Sequence, residues 1–170
     1  MGAVSAVHVT SQVGNEELFF PVELGGPENT DEIVRSLSIP NRLITQRSFP
    51  LHSRPVIEVA TIEIVLPPKN FDRKDAAVLL AERGLEPPMH EHPIRFAWQY
   101  KDRFARTLPP FLASGHRIVF PHEPHQHHGD VMVIVFAYEA KGSALWLYHA
   151  GGVNQQCVIA GVRPSNSSPK

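Results

Sequence analysis

The chain lacks the features that would tie it to an oxidising compartment or to a membrane. Among its 170 residues, Cys157 is the single cysteine, so no disulfide can form within the chain. This favours a reducing compartment, and we expect a cytoplasmic protein. No apolar run approaches the ~20 residues that span a bilayer, and no basic segment followed by an apolar core indicates a signal peptide. We therefore expect no membrane partner.

Net charge and the common catalytic motifs are also missing. Sixteen basic and 17 acidic residues give a formal net charge of -1, so bulk electrostatics does not attract nucleic acid or acidic lipid. The sequence has no Gly-rich phosphate loop, no Gly-x-Ser-x-Gly elbow and no internal repeat. These absences exclude the commonest nucleotide enzymes and serine hydrolases.

Proline, in contrast, is abundant, and its 16 copies divide the chain into short elements. The length suits one domain with a core of useful size. We expect a single globular domain over residues 1–164. Residues 165–170, which are polar, are predicted to form a flexible tail.

The C-terminal third predicts a buried sheet. Residues 131–138 and 144–148 are dense in β-branched and aromatic side chains, and the polar segment 139–143 between them contains Gly142. This pattern predicts a β-hairpin. Residues 156–162 predict a third strand, which gives an antiparallel meander.

Earlier segments supply further strands and the helices. Residues 17–24 predict an edge strand, because Pro21 cannot donate to a ladder, and residues 56–66 predict a longer one. Asn29 and Glu32 form a capping-box pattern at the start of a short helix. The whole pattern predicts an α+β fold, with a mostly antiparallel sheet and two or three helices packed on one of its faces.

Two further segments have helical patterns. A second helix is predicted to begin at Asp72 and to end at Gly84, which can adopt the left-handed cap. For residues 94–105 we favour a helix, because they continue without a breaker after Pro93, although the alternation at 94–98 also fits a strand.

Histidine is concentrated in two short segments, and this is the one unusual feature of the sequence. On a strand, residues i and i+2 share a face, so a His-x-His pair can bind one metal ion side by side. The spacing is similar to that of cupin barrels, but the glycines of the cupin pattern are missing and no membership follows. A divalent transition metal such as zinc, iron, nickel or manganese is the possible cofactor. The candidate ligands are His122, His125, His127, His90 and His92.

Three functions remain open at this point. The preferred hypothesis is a non-enzymatic binding or interaction domain, with a protein partner or with self-association through an exposed strand edge. The first alternative is a metal-dependent enzyme, a hydrolase or a cupin-like oxygenase, that uses the histidines. The second is a nucleic-acid-binding accessory protein, since basic and aromatic residues alternate between Arg95 and Arg106. A basic amphipathic core helix explains that alternation equally well.

Overall fold

The computed structural model describes residues 18–68, 75–127, 130–149 and 156–165, with the backbone alone at positions 127 and 130. In these ranges, seven strands form one sheet and four helices pack against it. In chain order the strands are β1 (Phe19–Leu24), β2 (Glu58–Val65), β3 (Arg117–Val119), β4 (His125–His127), β5 (Asp130–Glu139), β6 (Gly142–His149) and β7 (Cys157–Val162). The helices are α1 (Thr30–Ser36), α2 (Ala76–Glu82), α3 (Glu91–Arg106) and α4 (Pro110–Ala113).

The sheet is mixed, but most of its strand pairs are antiparallel. Its order is β1–β2–β7–β3–β5–β6, and the short strand β4 pairs with β5 on the same side as β3. Among the described strands, only β3 and β7 run parallel to each other. The predicted α+β class is confirmed.

The C-terminal hairpin forms, but the meander does not. Strands β5 and β6 pair continuously from Met132↔His149 to Glu139↔Gly142, and Gly142 adopts a positive φ of 115°. Strand β7 does not follow β6 in the sheet; it lies between β2 and β3, so the predicted meander is wrong in its third strand. All six residues of β7 are buried. A strand that is apolar on both faces is best stabilised in the middle of a covered sheet.

The helices cover both faces of the sheet, so the prediction that they pack on one face is wrong. Helices α1, α3 and α4 contribute to a large core that includes Ile62 and Phe136. Leu80 of α2 packs in a second core with Val135 and Ile159, whose side chains point to the opposite face. The central strands carry apolar side chains at successive positions, so an uncovered second face would expose them to water.

The local helix signals give the expected elements where the structure describes them. Asn29 and Glu32 form a complete capping box, in which each side chain accepts a hydrogen bond from the other residue's backbone N–H. Gly84 follows α2 with a φ of 69°, as its predicted cap requires. The predicted start of this helix at Asp72 lies outside the described residues, and α2 begins at Ala76. Residues 94–105 are helical, in agreement with the favoured alternative.

An aromatic cluster fixes α3 against the sheet. Phe96, Tyr100 and Phe104 of this helix surround Phe20 of β1, with ring centroids 5.2–6.0 Å apart in edge-to-face geometry. Phe96 also meets Phe136 of β5 edge-on at 5.2 Å. Such pairs add about 0.5–1.5 kcal/mol each beyond the burial of their area. Helix α3 therefore has a defined position over β1 and β5.

Side chains of α3 close the outer edge of β1. The strand ends the sheet, as Pro21 predicted. The Gln99 carboxamide accepts a hydrogen bond from the Glu23 N–H at 2.9 Å and donates one to the Glu23 carbonyl at 2.7 Å. The carbonyl of Pro21 accepts a hydrogen bond from the Tyr100 hydroxyl at 2.8 Å. At Pro21 and Glu23 this edge is therefore not open for pairing with a second chain.

The helices of the described ranges are too short or too polar to cross a bilayer. The longest, α3, has 16 residues.

Replacing Gln99 with leucine is expected to reopen the β1 edge. The Glu23 N–H and carbonyl lose their partners, so we expect about 1 kcal/mol lower stability toward denaturant. The freed edge should also promote association, measured as concentration-dependent mass in analytical ultracentrifugation. Asp102→Ala, at an exposed position of the same helix, is the matched control. A Gln99→Leu protein as stable and as monodisperse as this control contradicts the role assigned to Gln99.

Candidate functional site

The two histidine segments have different backbone structures. His90 immediately precedes α3, and His92 is the second residue of this helix. Residues two apart on a helix point about 200° apart around its axis, so the side-by-side geometry expected of a strand does not apply to this pair. His125 and His127 do lie on a strand, β4, where they share a face. The side chain of residue 127 is outside the described part of the structure.

His122 has a structural role at a break in the sheet. Its side chain is 3% exposed and lies between β3 and β4. Nε2 accepts a hydrogen bond from the Ile134 N–H at 2.9 Å, and Nδ1 donates one to the Glu123 carbonyl at 2.7 Å. The imidazole thus takes the place of a backbone acceptor in the β5 ladder. Binding a metal would require it to give up one of these buried hydrogen bonds.

Three of the candidate histidines meet around one phenylalanine. The ring of Phe49, which is 2% exposed, lies 4.7 Å from the ring of His125, 5.9 Å from that of His90 and 6.2 Å from that of His122, measured between centroids. Nε2 of His90 also donates a hydrogen bond to the Pro50 carbonyl at 2.8 Å. These imidazoles therefore cover an aromatic side chain and bond to the backbone.

The described side chains do not form a metal centre. In the ranges that the structure covers, no group of three or more histidine, cysteine, aspartate or glutamate residues converges closely enough to hold an ion. The fold brings His90, His122 and His125 to one region, and it places His92 elsewhere, in the cleft described below. The metal site and the enzyme that would depend on it remain predictions.

The alternating basic and aromatic residues lie on α3. Phe96, Tyr100 and Phe104 are buried in the main core, so their rings are not available to stack on bases. Trp98 is partly exposed, and the Lys101 ammonium lies 4.8 Å from its ring. The aromatic part of the pattern therefore reflects core packing, as the alternative interpretation of a basic amphipathic helix proposed.

A cleft of about 550 Å³ lies where the cover of the second sheet face ends. Leu80 and Leu85 pack beside Gly161 of β7 and, in the second core, with Val65 of β2, whereas Phe19 of β1 and Val59 of β2 remain exposed. At this end of β7 the backbone of Glu86 pairs with Val162 and so holds the linker between α2 and α3 beside the sheet. The volume is within the ~300–1,000 Å³ of ligand pockets. No sequence motif indicated this site, because its lining comes from four distant segments.

The cleft exposes large apolar side chains. Phe19 of β1 is 46% exposed, Val59 of β2 59%, and Met89 of the linker 52%. The guanidinium of Arg163 lies 4.7 Å from the Phe19 ring and bonds to the Glu63 carboxylate at 2.8 Å. A group of exposed apolar side chains at a concave surface is typical of an interaction site.

His92 is the buried polar group of this cleft, and it is 4% exposed. Its Nδ1 lies 2.8 Å from the Met89 nitrogen and 3.3 Å from the Met89 carbonyl oxygen. Accepting the shorter hydrogen bond, from the Met89 N–H, places the proton of the neutral ring on Nε2. Burial lowers the pKa of His92 below its usual 6.5, an effect that the Met89 carbonyl and the carboxylates of Glu91 and Glu58 only partly offset. His92 therefore offers the cleft a neutral N–H donor at neutral pH.

The remaining charges of the cleft are mostly acidic. Glu58 and Glu86 line it, and both are exposed. The Arg54 guanidinium lies 3.3 Å from the Glu58 carboxylate and 2.6 Å from the Glu91 carboxylate, so the two carboxylates share one cation. Among the residues that the structure describes, none forms an ion pair with Glu86. Since Arg163 is already paired with Glu63, the cleft has an excess of negative charge.

Replacing His122 with alanine should lower the free energy of unfolding by about 1–3 kcal/mol, because the buried Ile134 N–H loses its acceptor. His125→Ala, which removes a half-buried ring with no ladder hydrogen bond, should cost less. Urea denaturation at pH 7.5 measures both variants. Equal losses for the two variants would show that the His122 hydrogen bond does not support the sheet.

The free energy of unfolding should fall as the pH is lowered, and titration of His92 should cause part of this fall. Because its pKa is lowered in the folded state, the unfolded chain binds more protons below pH 6.5, so stability is complete above that pH and is lost as the pH falls toward the folded pKa. His92→Asn keeps an acceptor for the Met89 N–H but does not titrate. Between pH 7.5 and 5, the wild type should lose more stability than this variant in denaturation titrations. Parallel pH profiles for the two proteins contradict the assignment.

Comparisons with known proteins found no relative of this chain. No family model matches the chain, and neither does a curated protein or a solved structure.

Proposed function

We propose that this chain is a non-enzymatic binding domain that recognises a segment of a partner protein in the cleft beside β2. The observation that supports the proposal is the exposure of Phe19, Val59 and Met89 at one concave surface. Water contact with these side chains is unfavourable by about 25 cal/mol per Å² of apolar area, and a bound partner would remove it. The cleft offers at the same time a small number of polar groups, which suits specific recognition.

The contrast between the cleft and the β1 edge supports side-chain recognition. Gln99 and Tyr100 satisfy backbone groups on that edge, which disfavours binding by strand addition at β1. The outer face of the same strand pair keeps Phe19 and Val59 exposed. A partner therefore gains most by burying its own apolar side chains against this face.

Peptide selection tests this function, with Val59→Arg as the discriminating variant. Val59 is exposed opposite Glu23, so an arginine there is tolerated by the fold but places a charge in the cleft. Val78→Arg is the matched control, because Val78 is 56% exposed on α2 and does not line the cleft. A random peptide library displayed on phage is selected on the wild type and counter-selected on Val59→Arg.

We expect selected peptides to bind the wild type and Val78→Arg alike, and to lose at least about tenfold in affinity with Val59→Arg, or about 1.4 kcal/mol. Titration calorimetry of synthetic peptides measures this difference. The proposal fails when no peptide is enriched, or when the enriched peptides bind Val59→Arg as tightly as the wild type. If the protein alone forms a dimer that Val59→Arg dissociates, the recognised segment belongs to a second copy of this chain.

A further inference from the structure

We infer that the cleft selects a segment that places a lysine or arginine beside an apolar side chain. This inference rests on the proposed function and specifies the chemistry of its partner. It combines three observations on the cleft: the unbalanced carboxylates, the exposed apolar surface and the buried neutral imidazole.

The first observation concerns Glu58 and Glu86, whose carboxylates the cations of the described residues do not fully neutralise. The Arg54 guanidinium contacts Glu91 at 2.6 Å and Glu58 at the longer distance of 3.3 Å, so Glu58 has the weaker share of this cation. The Glu86 side chain has no ionic partner within the described ranges. Opposite charges near a protein surface attract each other over a few ångströms. A lysine or arginine of a bound segment would therefore be attracted by both carboxylates.

The second observation concerns the cationic side of the cleft, which offers little to an anion. Arg163 is the one arginine or lysine among its lining residues in the part of the chain described, and the Glu63 carboxylate neutralises it at 2.8 Å. Burial keeps His92 neutral by lowering its pKa. An acidic segment would therefore meet two carboxylates without a free cation in compensation.

The third observation concerns the backbone of the bound segment. Among the described side-chain atoms, Arg95 Nε is the one that is fully buried without a hydrogen-bond partner. His92 lines the cleft, and its Nε2 forms no hydrogen bond to a described residue and is not among the fully buried atoms without a partner. A neutral N–H in this position suits a peptide carbonyl. The segment would then contact Phe19, Val59 and Met89 with an apolar side chain, next to its cationic residue.

Three peptides of one design test the inference. Each is a hexapeptide, acetylated and amidated at its ends, in which leucine alternates with lysine, with glutamine or with glutamate. Their dissociation constants are measured by NMR titration at low and at physiological salt, on the wild type, Val59→Arg and the double variant Glu58→Gln/Glu86→Gln. Asp102→Asn, an exposed carboxylate on α3 outside the cleft, is the charge control.

We expect the lysine peptide to bind the wild type at least about tenfold more tightly than the glutamine peptide, and the glutamate peptide to bind most weakly. This advantage should shrink to about twofold or less in the double variant and in high salt, and it should persist in Asp102→Asn. Equal affinities for the three peptides, with all three weakened by Val59→Arg, overturn the inference and leave the proposed function intact. When Val59→Arg weakens none of them, or when none binds, both the inference and the proposed function fail.

Discussion

The insertion of β7 between β2 and β3 is the constraint on which the rest of the structure depends. One edge of β7 pairs with β2 in antiparallel register, and the other pairs with β3 in parallel register. Its side chains alternate between the two cores, with Val158 and Ala160 in one and Cys157 and Ile159 in the other. Beyond the end of β3, the backbone of Glu86 pairs with Val162 on the same edge of β7, and the linker that follows lines the cleft together with residues of β2. The cleft is therefore a consequence of β7 extending past its parallel neighbour.

Polar side chains have related uses at the β1 end of the sheet and at the interior junction of β3 and β4. At β1, the carboxamide of Gln99 imitates a peptide group, so the end strand is satisfied by its own molecule. At the junction of β3 and β4, the imidazole of His122 replaces a carbonyl that the interrupted ladder lacks. Both side chains protect backbone groups that would otherwise attract a second strand or remain unpaired. The proposed recognition surface is instead the face with exposed Phe19 and Val59.

Local features of the fold could be predicted from the sequence, whereas the partners of distant segments could not. The capping box at Asn29, the edge position of β1 and the β5–β6 hairpin depend on neighbouring residues, and each is present. Strand β7 is stable only where both of its faces are buried, and the location of such a place depends on the arrangement of the whole sheet. The His-x-His pattern at residue 90 predicts paired imidazoles only on a strand, and these residues lie at the start of a helix. The cleft could not be predicted, because the residues that line it lie far apart in the sequence: Phe19, Val59, Met89 and Arg163.

The central place of β7 also bears on how the chain acquires its structure during synthesis. Ile62 pairs with Val162, so the two halves of the sheet cannot join until the ribosome has added about a hundred further residues. At roughly 5–20 residues per second, the inner edge of β2 waits for ~5–20 s after it emerges. Contacts between such distant positions form slowly, and an apolar strand edge left unpaired for this time attracts other nascent chains. The protein should therefore depend on chaperone protection in the interval before its last central strand is available.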